Sequence, residues 1–461
     1  MKLPTPALAI SQRFLPGSAC VRLDRNLLCS DAPLQWHATD VQNSVPALRD
    51  RAKERHNNNN KGVVGIHQSR ETDKYEQTTT PVLDSKTSAS SWLGGNLRRV
   101  FHPEPLMTNQ PSFAIHASID SEIRPLALWD IAENDFPRNG SQMEKWKFFL
   151  RYAVLAPSCH NTQPWLFHIL GNQLNLYADR TRACRTVDPD DRELVMSCGC
   201  ALLHLRCAMA HFGHWGGAEI LPDPNDPDLL AVVQRGTLQE TSLEESALFH
   251  AITKRRTNRQ PFSDDPVPPV LLSSLRQAVG EEFAWMEIIT GEEQRHVAAS
   301  LIAEGDRRQW ANKRFRLELA AWVHPNRSSA RDGIPGYAQG MDDLLSFTGP
   351  LVVRTFNMGD GQAAKDHELA KGSPALAVIG TDDDSPRDWM HAGQALARTL
   401  LQARVEGVWA SFLNQAIEVP DLRQQFCSSL GLKGFPQVCL RLGFGIEIKP
   451  TPRRSPDEVI I

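Results

Sequence analysis

A repeated pattern, Gly-x-Ala-Leu followed by Gly-x-Trp, constrains the fold of this chain more than any other feature. The first copy begins at residues 199–202 and reaches residues 213–215 after fourteen positions. The second copy begins at residues 393–396 and reaches residues 407–409 after the same fourteen positions. In both copies the spacing predicts an apolar helix that ends at a glycine in the left-handed conformation and leads into a strand.

A second internal resemblance joins residues 150–154 and 275–279, which share the pattern Leu-Arg-x-Ala-Val. Each copy lies in a predicted helix and precedes a tryptophan that opens a predicted strand, at Trp165 and Trp285. Eleven positions separate the first copy from its tryptophan, but only six separate the second copy from its own. The second copy therefore lacks the loop that the first one carries.

Two tandem halves of one fold, about 125–240 and 241–461, explain both resemblances, and the chain would then be a single-chain pseudo-dimer. The alternative is that amphipathic helices ending in glycine look alike. Residues 1–124 differ from the remainder, because they hold an asparagine run at 57–60, a Thr/Pro run at 78–81 and little hydrophobic periodicity. They are predicted to form a disordered N-terminal extension.

The charge balance points to a small-molecule partner. The net charge is -4 and no block of basic residues is present, which argues against a surface for nucleic acid or an anionic membrane. No apolar run reaches the ~18 residues that span a bilayer. The first twenty residues are interrupted by Gln12 and Arg13, so we expect an uncleaved tail.

The nine cysteines are odd in number and scattered along the chain. Cys198, Cys200 and Cys207 match no metal-binding spacing, so we expect buried thiols in a reducing, cytoplasmic compartment and no metal site. Cys159 and His160 suggest a thiolate nucleophile, but adjacent residues rarely aim at each other, which disfavours that role.

Three histidines follow one another on the same apolar helix. His204, His211 and His214 have i, i+7, i+10 spacing. This spacing favours packed histidines, or histidines facing the helix dipole, over metal ligands.

The loop at residues 156–165 combines rigidity with hydrogen-bonding groups. A helix predicted over 144–154 precedes it and a β-hairpin predicted over 165–178 follows it. Prolines near both ends restrict φ, so the hydroxyl of Ser158 and the amide of Asn161 have little freedom. Such a loop can bind the polar edge of a flat ring, and the alternative is a rigid connection between helix and strand.

A cluster of cationic residues opens the second half. Arg255, Thr257 and Arg259 fall within five residues of one another. Arginine pairs with phosphate oxygens in a bidentate manner, and the threonine hydroxyl adds a neutral donor, so the cluster predicts a phosphate site. A solvated, charged helix end is the alternative.

Two further pairs are candidate ligand-binding residues. Arg453 and Arg454 lie near the carboxyl terminus, where they could share one phosphate with the first cluster. Asn414 and Gln415 follow a predicted strand, whose end would present their amides to a ligand. The alternative for this amide pair is a loop that satisfies its own backbone.

In combination these motifs resemble the nitroreductase-like flavin fold, and most closely the Acg family of FMN-binding oxidoreductases. The resemblance covers about residues 125–461. It depends on Ala-Pro-Ser-x-x-Asn-x-Gln-Pro-Trp at 156–165, Arg-Arg-Thr-x-Arg-x-x-Phe at 255–262 and the Arg-Arg pair at 453–454. Residues 188–199 and 392–398 add to the likeness.

The resemblance implies an α+β fold with a mixed sheet flanked by helices and with FMN bound where two halves meet. It implies a phosphate grip at a helix start (Arg255, Thr257, Arg259), a late phosphate contact (Arg453 or Arg454), a loop from the opposite half (Pro157, Ser158, Asn161) and a strand end beside the flavin ring (Asn414, Gln415). Many relatives have an acidic residue or glycine at that strand end, so this chain departs from the family there.

Only the first half keeps the Pro/Ser/Asn loop, and only the second half has the arginine cluster. Since a flavin site of this kind needs one of each, we expect one FMN per chain. The working unit is then the monomer as pseudo-dimer.

The resemblance further implies an oxidoreductase that takes hydride from NADH or NADPH and passes electrons to a nitroaromatic or quinone-like acceptor. The flavin carries the chemistry, so no catalytic side chain is predicted. Residues 304–345 form an insertion that could cover the site as a lid. A lid over the flavin favours an alternative function, in which the protein binds or sequesters FMN with little turnover.

Overall fold

The computed structural model describes residues 126–237 and 240–461. The predicted N-terminal extension, residues 1–124, lies outside the described residues. The helices, α1 to α12, are Gln142–Ala153, Arg192–His211, Leu243–Ile252, Pro269–Glu281, Glu292–Ala311, Lys313–Trp322, Asp343–Thr355, Gly359–Lys371, Pro386–Val405, Gln415–Glu418, Pro420–Ser429 and Pro456–Val459. The strands, β1 to β10, are Trp165–Leu170, Gln173–Ala178, Trp215–Ile220, Leu229–Arg235, Trp285–Ile289, Val323–His324, Ile334–Pro335, Ala375–Thr381, Trp409–Phe412 and Phe435–Gly443.

Two four-stranded sheets have the same strand order. The first runs β1-β2-β4-β3 and the second runs β5-β8-β10-β9, so each follows the order 1-2-4-3 in its own chain sequence. All of these strand pairs are antiparallel. Parallel bridges from Ile460 to Phe167 and from Thr257 to Ala410 extend the two edges. The α+β class with mixed sheets is confirmed, and the matching order agrees with a tandem pseudo-dimer.

The elements around the predicted loop form for local reasons. α1 begins at a capping box in which Ser141 and Glu144 bond each other's backbone N–H groups. Its buried face includes Trp146 and Phe149. Gly171 adopts φ +60° in the turn between β1 and β2, a conformation that favours glycine. The helix and the hairpin predicted on either side of the loop are therefore confirmed.

The central helices α2 and α9 pack against each other at the two repeated glycines. A Cβ on Gly199 would lie 2.5 Å from the carbonyl oxygen of Met390, and a Cβ on Gly393 would overlap the carbonyl of Met196. Glycine at these two positions therefore lets the backbones approach closely. Most of the buried apolar side chains of both halves join in one cluster around this contact.

The glycines that follow these helices adopt the predicted conformation. Gly213 after α2 has φ +73° and Gly407 after α9 has φ +76°. α2 also has the length and apolar composition of a membrane span, but 83% of its apolar window is buried inside the protein. It is the core helix of the first half.

Candidate functional site

A cavity of about 430 Å³ lies where segments of both halves meet. This volume falls in the range of about 300–1,000 Å³ that small-molecule and cofactor sites occupy. Most of the residues predicted from the sequence line the cavity. They are Pro157, Ser158, Asn161, Arg255, Thr257, Arg259, Asn414, Gln415 and Arg453.

Two buried arginines converge at one end of this cavity. Arg255 Nη2 and Arg453 Nη2 donate to the same acceptor, the carbonyl oxygen of Leu155, at 2.6 and 3.5 Å. The Nε atoms of both arginines are buried without a hydrogen-bond partner among the described residues. Burial, followed by the charge of Arg256, lowers the pKa of Arg255 from its usual value. Two buried cations with spare donors are suited to bind an anionic ligand.

Trp129 covers these arginines. The centre of its ring lies 3.9 Å from Arg256 Cζ, 4.9 Å from Arg453 Cζ and 5.8 Å from Arg255 Cζ. Its indole Nε1 donates to the carbonyl oxygen of Thr451 at 2.8 Å. Sequence reasoning missed both Trp129 and Arg256. Arg256 lies inside the predicted motif, but no local pattern connects Trp129 to it.

The resemblance implied that the arginine cluster opens a helix, but the structure has no helix at residues 255–262. α3 ends at Ile252, and Thr257 and Asn258 follow in an extended segment that pairs with Ala410 of β9. The correction has a physical cause, because pairing with the edge strand satisfies backbone groups that a new helix would leave open. Arg259 also lines the cavity, and burial lowers its pKa while the charge of Asp366 opposes this.

Arg454 does not line the cavity, so the prediction that it contacts the ligand is corrected. Its guanidinium donates to the carbonyl oxygens of Gln163 and Glu458 at 3.0 and 2.9 Å. It also lies 3.7 Å from a carboxylate oxygen of Asp179. Adjacent residues of an extended chain point to opposite sides, so Arg453 faces inward and Arg454 fastens the chain terminus.

The Pro/Ser/Asn loop is held in an uncommon conformation. His160, Asn161 and Gln163 have φ of +47°, +58° and +53°, and such values in residues other than glycine concentrate at functional sites. The Asn161 amide Nδ2 donates to the carbonyl oxygens of Gly333 and Pro452 at 2.9 and 3.1 Å. Asn161 therefore joins the loop to two segments of the second half.

Asn414 and Gln415 differ in their free hydrogen-bonding capacity. Asn414 Oδ1 accepts from Cys439 N at 3.0 Å, and its Nδ2 donates to Glu193 Oε1 at 3.2 Å. Gln415 Nε2 donates to Asp366 Oδ2 at 2.7 Å, but its buried Oε1 has no partner within the described chain. Gln415 keeps a free acceptor, whereas Asn414 is held by its neighbours.

Sequence reasoning did not find three carboxyl groups that line the cavity, of which two are buried and one, Glu418, is half-buried. Glu193, Asp306 and Glu418 come from α2, α5 and α10, so no local pattern could identify them. Burial raises the pKa of Asp306 and Glu418, and the charges of Asp366 and Glu193, respectively, raise them further. Such carboxyls hold their protons to a higher pH than exposed ones do.

Cys159 and His160 contact each other, contrary to the sequence expectation. His160 Nδ1 lies 3.0 Å from Cys159 Sγ and 3.9 Å from the sulfur of Cys184. The positive φ of His160 allows this, because it turns the chain back between neighbouring side chains. The Cys159 thiol, followed by His160, lowers the pKa of Cys184. The described cysteines are all free thiols.

The insertion at residues 304–345 contributes an apolar wall. Trp310, Phe315 and Ile334 line the cavity, and the lining continues past this interval to Val353 and Gln362. Several polar contacts fasten the insertion around the cavity. They include the Arg182–Asp332 ion pair, Gly333 N to Asn161 O at 3.2 Å and Tyr337 Oη to Pro450 O at 2.7 Å.

Comparisons with known proteins find relatives that are named as nitroreductases. No family model matches the chain. It is 30% identical over 324 residues to a Mycobacterium tuberculosis protein named "Putative NAD(P)H nitroreductase", covering 68% of this chain and 89% of that one. It is 28% identical over 322 residues to another from that organism, named "Putative NAD(P)H nitroreductase acg", covering 68% of this chain and 94% of that one.

Solved structures are more distant. A nitroreductase with bound FMN from Desulfitobacterium hafniense is 14% identical, with a TM-score of 0.28, covering 46% of this chain and 96% of that chain. A nitroreductase-like protein from Bacillus cereus is 16% identical, with a TM-score of 0.27, covering 48% of this chain and 96% of that chain.

Proposed function

This chain belongs to the nitroreductase-like family that includes Acg, and on that premise we propose that it is an FMN-dependent NAD(P)H oxidoreductase. One observation carries the proposal. Arg255 and Arg453 lie buried at one end of a cavity of cofactor size, and their Nε atoms have no partner among the described residues. The phosphate of FMN is an anion that fits this need.

The arginine end would hold the phosphate. Arg255, Arg256 and Arg453 supply charge, and Thr257 and Arg259 line the adjoining wall. Charge-assisted hydrogen bonds contribute about 1.5–3 kcal/mol each, so two or three of them account for tight retention of a phosphate. Trp129 limits the access of water to these bonds, because it covers the guanidinium groups.

The remaining residues orient the ring and control its surroundings. When bound, FMN supplies the hydride and electron transfer. Ser158 and Gln415 Oε1, which bonds no residue of the described chain, can bond the polar edge of a flat ring, while Asn161 and Asn414 hold neighbouring chain segments in place. Asp306 and Glu418 retain protons near the reacting region, because their pKa values are raised.

We infer one FMN per chain, because the loop comes from the first half and the arginine cluster from the second. The proposed halves are residues 125–240 and 241–461. The acceptor is a flat, apolar molecule such as a nitroaromatic or a quinone, which suits the wall that Trp310 and Phe315 form. The free thiols support a reducing, cytoplasmic location.

The visible spectrum of the purified protein tests the proposal. We expect a flavin absorbance band, one FMN released per chain on denaturation, and anaerobic bleaching by NADH or NADPH. A ratio near two would contradict the composite site. A protein without flavin, which also fails to bind added FMN, would contradict the cofactor itself.

A second candidate is a protein that stores FMN with little turnover. The observation that favours it is the insertion, which the Arg182–Asp332 ion pair and the Tyr337–Pro450 hydrogen bond fasten around the cavity. Sulfite and borohydride are small, whereas NAD(P)H is large. Reduction of the flavin by borohydride but not by NAD(P)H would favour storage over turnover.

A further inference from the structure

We propose that Glu133, His211 and His250 form a binding site for a divalent transition-metal ion such as Zn²⁺. The three residues lie outside the cavity lining, at the junction of α2, α3 and the 3-10 turn Glu133–Asp135. The two imidazoles and one carboxylate are a ligand set that suits zinc. The site does not depend on the proposed flavin chemistry.

The three side chains lie close to the spacing of a coordination sphere. Glu133 Oε2 lies 3.1 Å from His211 Nε2, and Glu133 Oε1 lies 2.8 Å from His250 Nε2. One ligand atom from each residue falls within 4.8 Å of the other two. Zinc bonds of about 2.0–2.2 Å place neighbouring ligand atoms roughly 3–3.5 Å apart. Small side-chain rotations would therefore admit the ion.

Ser246 orients both rings. His250 Nδ1 lies 2.6 Å from the carbonyl oxygen of Ser246, which can only accept, so this nitrogen carries the hydrogen. His211 Nδ1 lies 3.4 Å from the hydroxyl of the same serine, and its ring stacks on Phe249 at 3.8 Å. Histidines that bind metals are held in this way through their second nitrogen.

The contact between His250 and Glu133 needs a positive charge between them. With hydrogen on Nδ1, the Nε2 atom of a neutral His250 presents a lone pair to a carboxylate oxygen 2.8 Å away. Two acceptors at this distance repel each other. A cation between the two atoms, whether a proton or a metal ion, removes the repulsion, and a metal ion there would also lie within reach of His211.

A metal here would fasten an early segment of the described chain to two helices. Glu133 lies four residues after Trp129, the side chain that covers Arg256 and Arg453. The ion would thus hold in place the segment that closes the arginine end of the cavity. This last consequence rests on the proposed function, whereas the metal site itself does not.

The test is a Zn²⁺ titration of the full-length, metal-stripped protein by calorimetry. It uses a Cys184→Ser background, which breaks up the Cys159–His160–Cys184 group that could itself hold an ion. We expect one equivalent to bind, and expect His250→Ala and Glu133→Gln to weaken it at least tenfold, since even supporting residues cost on the order of 10- to 100-fold in metal affinity. His168→Ala, a histidine on β1, is the matched control and should bind as the parent does.

Co²⁺ absorption identifies the ligands. Co²⁺ bound by nitrogen and oxygen ligands shows weak visible bands, whereas Co²⁺ bound by thiolates also shows a strong near-ultraviolet band. We expect the weak visible bands alone. Circular dichroism establishes that each variant is folded, and Glu133→Gln preserves the shape of the side chain. No binding by the parent, or equal binding by all variants, overturns the site and leaves a hydrogen-bonded histidine–carboxylate cluster. FMN content, measured on the same samples, reports on the proposed function separately.

Discussion

Arg453 Nη1 donates to Asn161 Oδ1 at 2.7 Å, so an arginine near the carboxyl terminus is held by the loop that precedes β1. The same Nη1 also donates to the Thr451 hydroxyl at 2.6 Å. Asn161 therefore acts on the cavity through Arg453, since its own amide groups are bonded to protein. The contact joins the two halves beside the proposed phosphate site.

Removing two cluster arginines should release FMN and leave the fold intact. Arg255→Ala combined with Arg259→Ala deletes two charge-assisted contacts of about 1.5–3 kcal/mol each. FMN affinity should fall by several powers of ten, measured by flavin fluorescence after gel filtration. Arg454→Ala is the matched control, because this arginine points away from the cavity. Equal FMN retention in the double variant and the control would place the phosphate elsewhere.

The two repeated glycines should be intolerant of a methyl group. Gly199→Ala sets a Cβ 2.5 Å from the Met390 carbonyl oxygen, so α2 and α9 must move apart, at a cost of roughly 1–3 kcal/mol or more. Gly361→Ala in α8 is the control, since its added Cβ meets nothing within 4 Å, and it should be neutral or stabilising. Urea unfolding measures both, and equal stabilities would contradict the close packing.

The sequence predicted the parts of the molecule that local patterns encode. The repeated motifs around Gly199 and Gly393 gave the two helices and the strands after them. The cluster at Arg255 and the loop at Asn161 gave most of the cavity lining, because several of the site residues are close in sequence. The choice between Arg453 and Arg454 needed the structure, since both have the same chemistry.

Interactions between distant segments could not be predicted in this way. Glu193, Asp306 and Glu418 meet only because three helices converge on the cavity. Trp129 precedes the first half's main helix and gave no signal. The contact between Cys159 and His160 depends on a positive φ that sequence reasoning assigns to glycine rather than histidine. In each case the sequence showed the chemistry of the residue but not which distant residues it contacts in the folded chain.

The buried carboxyl of Asp306 should make stability depend on pH. Burial, and then the charge of Asp366, raises its pKa in the folded state. The unfolded chain releases this proton near its ordinary pKa of about 3.9, whereas the folded protein holds it to a higher pH. The stability that this carboxyl contributes is therefore fully present below the unfolded pKa and is lost as pH rises through the folded pKa. Asp306→Asn should therefore flatten the loss of stability toward alkaline pH. Each pH unit between the unfolded and the folded pKa corresponds to about 1.4 kcal/mol of unfolding free energy.

Urea unfolding at mildly acidic and alkaline pH measures this difference. Asp382→Asn is the matched control, because Asp382 is exposed and its substitution should leave the pH dependence as in the parent. If Asp306→Asn and Asp382→Asn show the same slope, the buried carboxyl does not drive the pH dependence.

Loosening the insertion should increase access to the cavity. Asp332→Asn weakens the ion pair with Arg182, which joins the insertion to the first half, and Tyr337→Phe removes the hydrogen bond to Pro450. Each contact contributes on the order of 1 kcal/mol, so the combined variant should admit reductants several-fold to about thirtyfold faster. Stopped-flow bleaching of the flavin by NADPH and by sulfite measures this rate. Asp382→Asn, at an exposed position outside the insertion, is the control. Acceleration with NADPH alone indicates a gate in an active reductase, whereas no change with either reagent shows that the insertion does not limit access.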